Sequence, residues 1–80
     1  MNIIVYTKTG CPWCNGVIEY LDNAGVEYEE REVTANPQYM GEMKKKSGQE
    51  KAPTLDIDGH ILADSDKDQV DAYLREKGIV

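Results

Sequence analysis

Residues 3–14 read IIVYTKTGCPWC, an apolar run followed by a polar turn and two cysteines that are separated by two residues. The run Ile3–Tyr6 is apolar on both faces, which predicts a buried central strand. Residues 7–10 then break the strand. Proline is best tolerated as the first residue of a helix, so Pro12 predicts a helix that begins within the CxxC motif.

The remaining sequence predicts one mixed sheet covered by helices. Apolar residues of the first helix fall on one face up to Gly25, where a helix would stop. Asp58-Gly59, between two short apolar runs, is a strong signal for a two-residue hairpin turn. The elements predicted after the first helix are an edge strand over 26–33, a helix from Asn36-Pro37 to Ser47-Gly48, strands over 54–57 and 60–62, and a last helix capped by Ser65 or Asp66. The resulting order, βαβαββα, is that of an α/β chain.

The size and charge of the chain narrow the classes of function. Its 80 residues predict a single domain over 1–80, and its two cysteines allow at most one internal disulfide. A disulfide between Cys11 and Cys14 would close a loop too short to constrain the unfolded chain much. We therefore expect a chemical rather than a structural role for the cysteines. The formal charge of −6 argues against nucleic acid and against anionic membrane as partners, since both require a basic face. No secretory signal is visible, so we expect a cytoplasmic protein, in which a CxxC pair is more often catalytic or metal-binding than structural.

Cys11 and Cys14 are placed for unequal roles in thiol–disulfide exchange. With Pro12 as the first helical residue, Cys11 is the N-cap, and its sulfur can accept hydrogen bonds from amides of the first turn. These donors and the helix dipole favour the anionic sulfur, and Lys8 adds a positive charge nearby. We expect an exposed Cys11 to attack a substrate disulfide and a shielded Cys14 to resolve the mixed disulfide that forms.

Zinc binding is the alternative interpretation of a CxxC motif. Zinc normally takes four ligands, whereas this chain has no second CxxC motif and one histidine, His60. We therefore expect no bound metal, and we expect His60, beside the hairpin turn, to be an exposed residue without a catalytic role. The run Lys44–Lys46 is expected to be a solvated helix face, and Met40 and Met43 to fill the core.

Taken together, the motifs resemble the glutaredoxin family, in its dithiol form with a proline after the first cysteine. The segments that carry the resemblance are Val5–Lys8, Cys11–Cys14, Ala52–Leu55, and Asp58-Gly59 before Ser65-Asp66. They follow the family in order and spacing over essentially the whole chain. The resemblance implies a thioredoxin-like fold with a four-stranded mixed sheet of order 2-1-3-4, covered by three helices, and a cis peptide bond before Pro53.

The resemblance also implies a groove in which glutathione lies across the site. Lys8 would meet the glycyl carboxylate, the Ala52 backbone would pair with the cysteinyl part, and the start of the last helix would hold the glutamyl end. The residues expected to form this groove are Lys8, Pro12, Trp13, Lys51, Ala52, Pro53, Ser65 and Asp66.

Three positions depart from the family pattern. Trp13 stands where tyrosine is common, Lys51-Ala52 replaces a Thr-Val pair, and Ala63-Asp64 replaces a pair of glycines. Asp64 adds bulk and like charge against the anionic tripeptide, where glycine would allow a close approach. Two electron donors therefore stay open, glutathione as co-substrate and a thioredoxin reductase.

The activity that the resemblance implies is reversible dithiol–disulfide exchange by a monomer without a bound cofactor. The expected substrates are glutathione-mixed disulfides and protein disulfides such as that of ribonucleotide reductase. An alternative of another class is a glutathione-dependent iron–sulfur cluster carrier, in which Cys11 of two subunits holds one cluster. Pro12 argues against this alternative, because cluster-binding relatives tend to have smaller or more flexible residues there.

Overall fold

A computed structural model describes residues 2–80 and has the element order βαβαββα that the sequence predicts. The elements are β1 (Ile3–Thr7), α1 (Pro12–Asn23), β2 (Glu29–Glu32), α2 (Pro37–Ser47), β3 (Thr54–Ile57), β4 (His60–Leu62) and α3 (Lys67–Glu76). The sheet order is β2-β1-β3-β4; β1 and β2 are parallel, and the other two pairs are antiparallel. This topology confirms the thioredoxin-like fold. The longest helix has 12 residues, and within residues 2–80 no helix is long and apolar enough to cross a membrane.

The strand β1 is central and buried, as its apolar sequence predicts. Val5 pairs with Glu30 of β2 on one side and with Leu55 of β3 on the other. Because side chains alternate along a strand, β1 contributes to both layers of the core. Its odd-numbered residues face α1 and α3, whereas Tyr6 faces α2.

The core has a larger cluster and a smaller one, on opposite sides of the sheet. The buried residues on the side of α1 and α3 are Ile3, Val5, Val17, Leu21, Leu55, Ile57, Val70 and Leu74. Those on the side of α2 are Tyr6, Val33 and Met43. Met40 packs against the smaller cluster, so both methionines have the packing role predicted for them.

One predicted boundary differs from the structure, and the structure decides another that the sequence leaves open. The strand predicted over 26–33 forms only over Glu29–Glu32, because Val26 closes the preceding helix through a 3.1 Å hydrogen bond from its amide to the Leu21 carbonyl. At α3, the structure uses Asp66 rather than Ser65 as the N-cap. The Asp66 side chain accepts a 2.9 Å hydrogen bond from the Gln69 amide.

The β3–β4 connection is the predicted two-residue hairpin turn. Asp58 and Gly59 both have positive φ, at 50° and 91°, and the Gly59 amide donates to Asp56 Oδ1 at 2.8 Å. His60 is exposed, as predicted, and stacks on Tyr73 with 4.5 Å between the ring centroids.

The run Lys44–Lys46 is exposed, as predicted, but Lys46 also has specific partners that the sequence does not predict. Its side chain is 29% exposed, and its ammonium donates to the Tyr6 hydroxyl and to Asp56, each at 2.7 Å. The Tyr6 hydroxyl in turn donates to Glu42 at 2.9 Å. The reason is that Tyr6 and Asp56 place two oxygen atoms beneath α2, and Lys46 is the residue of that helix that satisfies both.

Lys46→Met is expected to lower the free energy of unfolding at neutral pH by about 1 kcal/mol. Partial burial disfavours the charged Asp56, but Lys46 and the Gly59 amide outweigh it and hold the pKa of Asp56 below its ordinary value. A carboxylate with a lowered pKa contributes stability above its ordinary pKa and loses it as the pH falls. In urea titrations the deficit of Lys46→Met should therefore shrink below about pH 4. Lys45→Met, on the exposed part of the run, is the control; an equal loss in the control would contradict this account.

Candidate active site

Cys11 caps the N-terminus of α1, as the position of Pro12 predicts. Its backbone is extended, with φ −96° and ψ 109°, and Pro12 is the first helical residue. The Cys14 amide donates a 3.2 Å hydrogen bond to Cys11 Sγ. A sulfur atom thus occupies the place where a capping oxygen usually lies, and its anionic form gains most from an amide donor and from the helix dipole.

The two sulfur atoms have different surroundings. Cys11 is half-buried rather than fully exposed, whereas Cys14 is 2% exposed, on the inner face of α1. Burial first and the neighbouring Cys11 sulfur second raise the pKa of Cys14 to about 12, while the backbone of Lys8 acts in the opposite direction. Cys14 is therefore a protonated thiol at neutral pH when the protein is reduced.

The segment before β3 lies against the nucleophile. The Ala52–Pro53 peptide bond is cis, as the resemblance implies, and Cys11 Sγ lies 3.9 Å from the Ala52 carbonyl oxygen. The Ser65 amide donates to the Pro53 carbonyl at 3.0 Å. Three separate parts of the chain therefore meet at the CxxC motif: the start of α1, the residues before β3 and the turn before α3.

Two cavities flank Trp13, whose side chain is exposed. The first, of about 220 Å³, is lined by Trp13, Ala52, Pro53, Asp64, Ser65 and Asp66. The second, of about 360 Å³, is lined by Pro12, Trp13, Gly16, Asp66, Lys67 and Asp68. The structure thus brings together six of the eight residues predicted for the groove.

The other two predicted groove residues, Lys8 and Lys51, do not line these cavities. Lys51 is at the rim of the smaller one, with its Nζ atom 4.0 Å from Asp64 Oδ2. Lys8 directly follows β1. A hydrogen bond with its backbone lowers the pKa of Cys14 and so offsets part of the effect of burial. Ser65 is buried, and its hydroxyl donates to the Leu62 and Pro53 carbonyls at 3.3 and 3.4 Å, so its own contribution is to fasten the turn before α3.

Asp64 is the cavity residue whose role the sequence shows least clearly. It has a positive φ of 50°, in the left-handed region that glycine adopts freely and that aspartate tolerates better than most residues. The sequence offers one signal for this conformation: Ala63-Asp64 stands where the resemblance leads us to expect two glycines, which adopt positive φ freely. The pairing of Asp64 with Lys51 has no signal in the sequence, because it depends on how two loops meet.

The arrangement as a whole supports disulfide chemistry. Both cysteines are free thiols, one turn apart at a helix N-terminus, a spacing that a disulfide can bridge. Among residues 2–80, no three side chains of histidine, cysteine, aspartate or glutamate are grouped so as to hold a metal ion. The fold and this site define a thioredoxin-fold dithiol protein.

Comparison with known proteins narrows this class to one family. The sequence model of the glutaredoxin family matches residues 3–62. Glutaredoxin 3 of Escherichia coli is 35% identical over 65 residues, which cover 81% of this chain and 78% of that protein. The solved structure of the thioredoxin-like protein BC3987 is 30% identical with a TM-score of 0.81, and the match covers 88% of this chain and 96% of that one. Glutaredoxin from Brucella melitensis is 29% identical with a TM-score of 0.70, over 98% of this chain and 82% of that one. The chain belongs to the glutaredoxin family of thiol–disulfide oxidoreductases.

Alkylation of the reduced protein is expected to distinguish the two thiols. Iodoacetamide at neutral pH should label Cys11 and leave Cys14 unmodified, because Cys14 is buried and protonated. Peptide mass mapping after brief labelling gives the two extents directly. Full labelling of both residues after unfolding in urea is the control. Equal labelling of both cysteines in the folded protein would contradict the assignment.

Proposed function

We propose that the protein is an electron carrier that reduces protein disulfides and glutathione-mixed disulfides through Cys11 and Cys14. The observation that carries this proposal is the 3.2 Å hydrogen bond from the Cys14 amide to Cys11 Sγ, with the Cys14 thiol buried behind it. The bond favours an attacking thiolate at the surface and leaves a protected thiol one turn away.

The exchange has two steps in each direction. The Cys11 thiolate attacks one sulfur of the substrate disulfide, and the other sulfur leaves as a thiolate. Cys14 then loses its proton and attacks Cys11, which releases the second substrate sulfur and forms the Cys11–Cys14 disulfide. The substrate gains two electrons and the protein loses two, which an electron donor must restore.

The surface around Cys11 suits an extended peptide segment. The Ala52 carbonyl, 3.9 Å from Cys11 Sγ, is a backbone acceptor with which a bound segment could pair as an added strand. Trp13 is 66% exposed and offers a flat face for the substrate backbone between the two cavities. A disulfide-bearing protein segment, such as that of ribonucleotide reductase, and glutathione both meet this description.

A second candidate concerns the donor: recharging by a thioredoxin reductase rather than by glutathione. The observation that favours it is Asp64, whose side chain lines the smaller cavity and pairs with Lys51 at 4.0 Å. The Asp64 carboxylate repels an anionic tripeptide such as glutathione. The Lys51 ammonium would attract that tripeptide, but it is already paired with Asp64. Glutathione would bring a carboxylate of its own to this cavity, whereas a protein reductase need not.

The cellular setting belongs to the same proposal. A dithiol carrier must be returned to its reduced form after each cycle, and we propose a cytoplasmic location because that compartment keeps thiols reduced. We further propose that it acts as a monomer, because Cys11 and Cys14 lie one turn apart on the same helix, so the dithiol is complete without a second subunit.

Reduction of the oxidised protein by glutathione alone, compared with thioredoxin reductase and NADPH, tests both candidates. We expect faster reduction by the reductase. Asp64→Asn removes the charge and tolerates the left-handed backbone, so it should raise the rate with glutathione about two- to five-fold at low salt, through a lower KM. Glu19→Gln, at an exposed position of α1 outside both cavities, is the control for loss of one negative charge, and Asp64→Gly tests whether bulk adds to the effect of charge.

The possible results separate the two candidates. Failure of both donors to reduce the protein would overturn the electron-carrier proposal. Efficient reduction by glutathione, with no change in Asp64→Asn, would leave the carrier function standing and eliminate the second candidate.

A further inference from the structure

Thr54 is a fully buried polar residue at the start of β3. Its hydroxyl donates a 2.8 Å hydrogen bond to the carbonyl of Lys51, three residues earlier in the chain. A buried hydroxyl needs such a partner, because an unpaired one costs free energy. The position of the acceptor matters for the site, since Lys51 directly precedes Ala52, the residue beside the nucleophile.

This hydrogen bond sets the direction of the Ala52 amide. The Lys51 carbonyl and the Ala52 N–H belong to one peptide unit, which is planar. The unit is trans, because the cis bond lies one residue further on, between Ala52 and Pro53. In a trans unit the carbonyl and the N–H point in opposite directions. The Ala52 N–H therefore points away from the buried Thr54 hydroxyl.

Gln49 holds the peptide unit on the other side of Lys51. Its Oε1 atom accepts a hydrogen bond from the Lys51 amide. The Gln49 amide in turn donates to the Ser47 hydroxyl at 3.4 Å, at the last residue of α2. Both backbone groups of Lys51 are thus bound by side chains, which restricts rotation of the chain just before Ala52.

Ala52, in contrast, keeps both of its backbone groups available. Within residues 2–80 its N–H has no acceptor, and its carbonyl oxygen lies 3.9 Å from Cys11 Sγ. Pro53 has no N–H, and its carbonyl accepts from the Ser65 amide at 3.0 Å. The free donor and acceptor of this segment therefore belong to Ala52, which lines the smaller cavity. An extended segment that adds to a strand pairs with such a donor and acceptor.

We propose that Thr54, with Gln49 as a second brace, is a positioning residue that holds the backbone groups of Ala52 ready for an extended substrate segment. Thr54 is fully buried and cannot contact a substrate, so it acts through the peptide unit that precedes Ala52. The proposal rests on the proposed function in one respect, namely that Cys11 attacks a disulfide. Its consequence is a substrate class: disulfides within an extended peptide backbone are preferred over small disulfides that have no amide.

The preference follows from preorganisation. Without the two braces, the chain before Ala52 would have to be ordered when the substrate binds, and that ordering costs affinity. The cap of α1 does not depend on the braces, because the hydrogen bond to Cys11 Sγ comes from the Cys14 amide. The reactivity of Cys11 toward a disulfide that makes no backbone pairing should therefore be independent of Thr54 and Gln49.

The test compares two disulfides that release the same thiol. One is the mixed disulfide of a short uncharged peptide with 2-mercaptoethanol, and the other is bis(2-hydroxyethyl) disulfide, which has no amide. Oxidation of the reduced protein is followed by acid quenching and mass spectrometry. Thr54→Val keeps the shape and removes the hydroxyl, so it should lower the rate constant with the peptide about three- to ten-fold. The rate constant with the small disulfide should stay unchanged. Thr54→Ser keeps the hydroxyl and should restore most of the rate with the peptide.

Gln49→Met removes the acceptor for the Lys51 amide and should give the same pattern with a smaller effect, because this brace is one peptide unit further from the Ala52 N–H. Gln49→Glu keeps an acceptor oxygen and is its matched control. Circular dichroism and urea unfolding establish that each variant is folded, and Gln49→Met carries the test if Thr54→Val does not fold.

Two results would overturn the proposal: an unchanged rate with the peptide disulfide, or equal slowing with both disulfides. Equal slowing would mean that the substitution disturbs Cys11 itself. A wild-type protein that reacts with neither disulfide would overturn the proposed function and this proposal with it. The failure of one is therefore distinguishable from the failure of the other.

Discussion

The hydrogen bond from the Cys14 amide to the Cys11 sulfur, 3.2 Å long, links the fold of this protein to its chemistry. A helix N-terminus leaves amides without intrahelical partners, and a side chain at the N-cap satisfies one of them. Here that side chain is a thiol, and the donor belongs to Cys14, the residue that we propose resolves the mixed disulfide. The same turn of helix holds one sulfur at the cap and buries the other, so the two cysteines are unequal before any substrate arrives.

The sheet topology explains why distant parts of the chain meet at this cap. β3 is antiparallel to the central strand β1, with Thr54 opposite Tyr6, so the residues before β3 lie beside the loop that follows β1. That loop leads directly to Cys11. The Ser65 amide then fastens the turn before α3 to the Pro53 carbonyl at 3.0 Å. The cavities beside Trp13 are a consequence of this convergence. Residues of α1, of the segment before β3 and of the turn before α3 line the smaller cavity, and residues of α1 and of the start of α3 line the larger one.

Local patterns predicted most of the fold and the dithiol, because the signals are short-range. Pro12 after Cys11 indicates the helix start, and Asp58-Gly59 indicates the hairpin. The shortened second strand has a local cause, the hydrogen bond from the Val26 amide to the Leu21 carbonyl. Side-chain contacts, in contrast, escape prediction where the partners are far apart in sequence. The lysine run predicts only a solvated helix face, whereas the sheet brings Tyr6 and Asp56 to Lys46. The ion pair between Lys51 and Asp64 is hidden for the same reason.

The central claim is that Cys11 alone attacks and Cys14 alone resolves. Trapping of the mixed disulfide tests it directly: each single-cysteine variant is mixed with a small peptide disulfide, quenched with acid and analysed by mass spectrometry. The account predicts that Cys14→Ser accumulates one peptide on Cys11, whereas Cys11→Ser acquires none on the same timescale. Accumulation of a peptide on Cys14 at a comparable rate would contradict it.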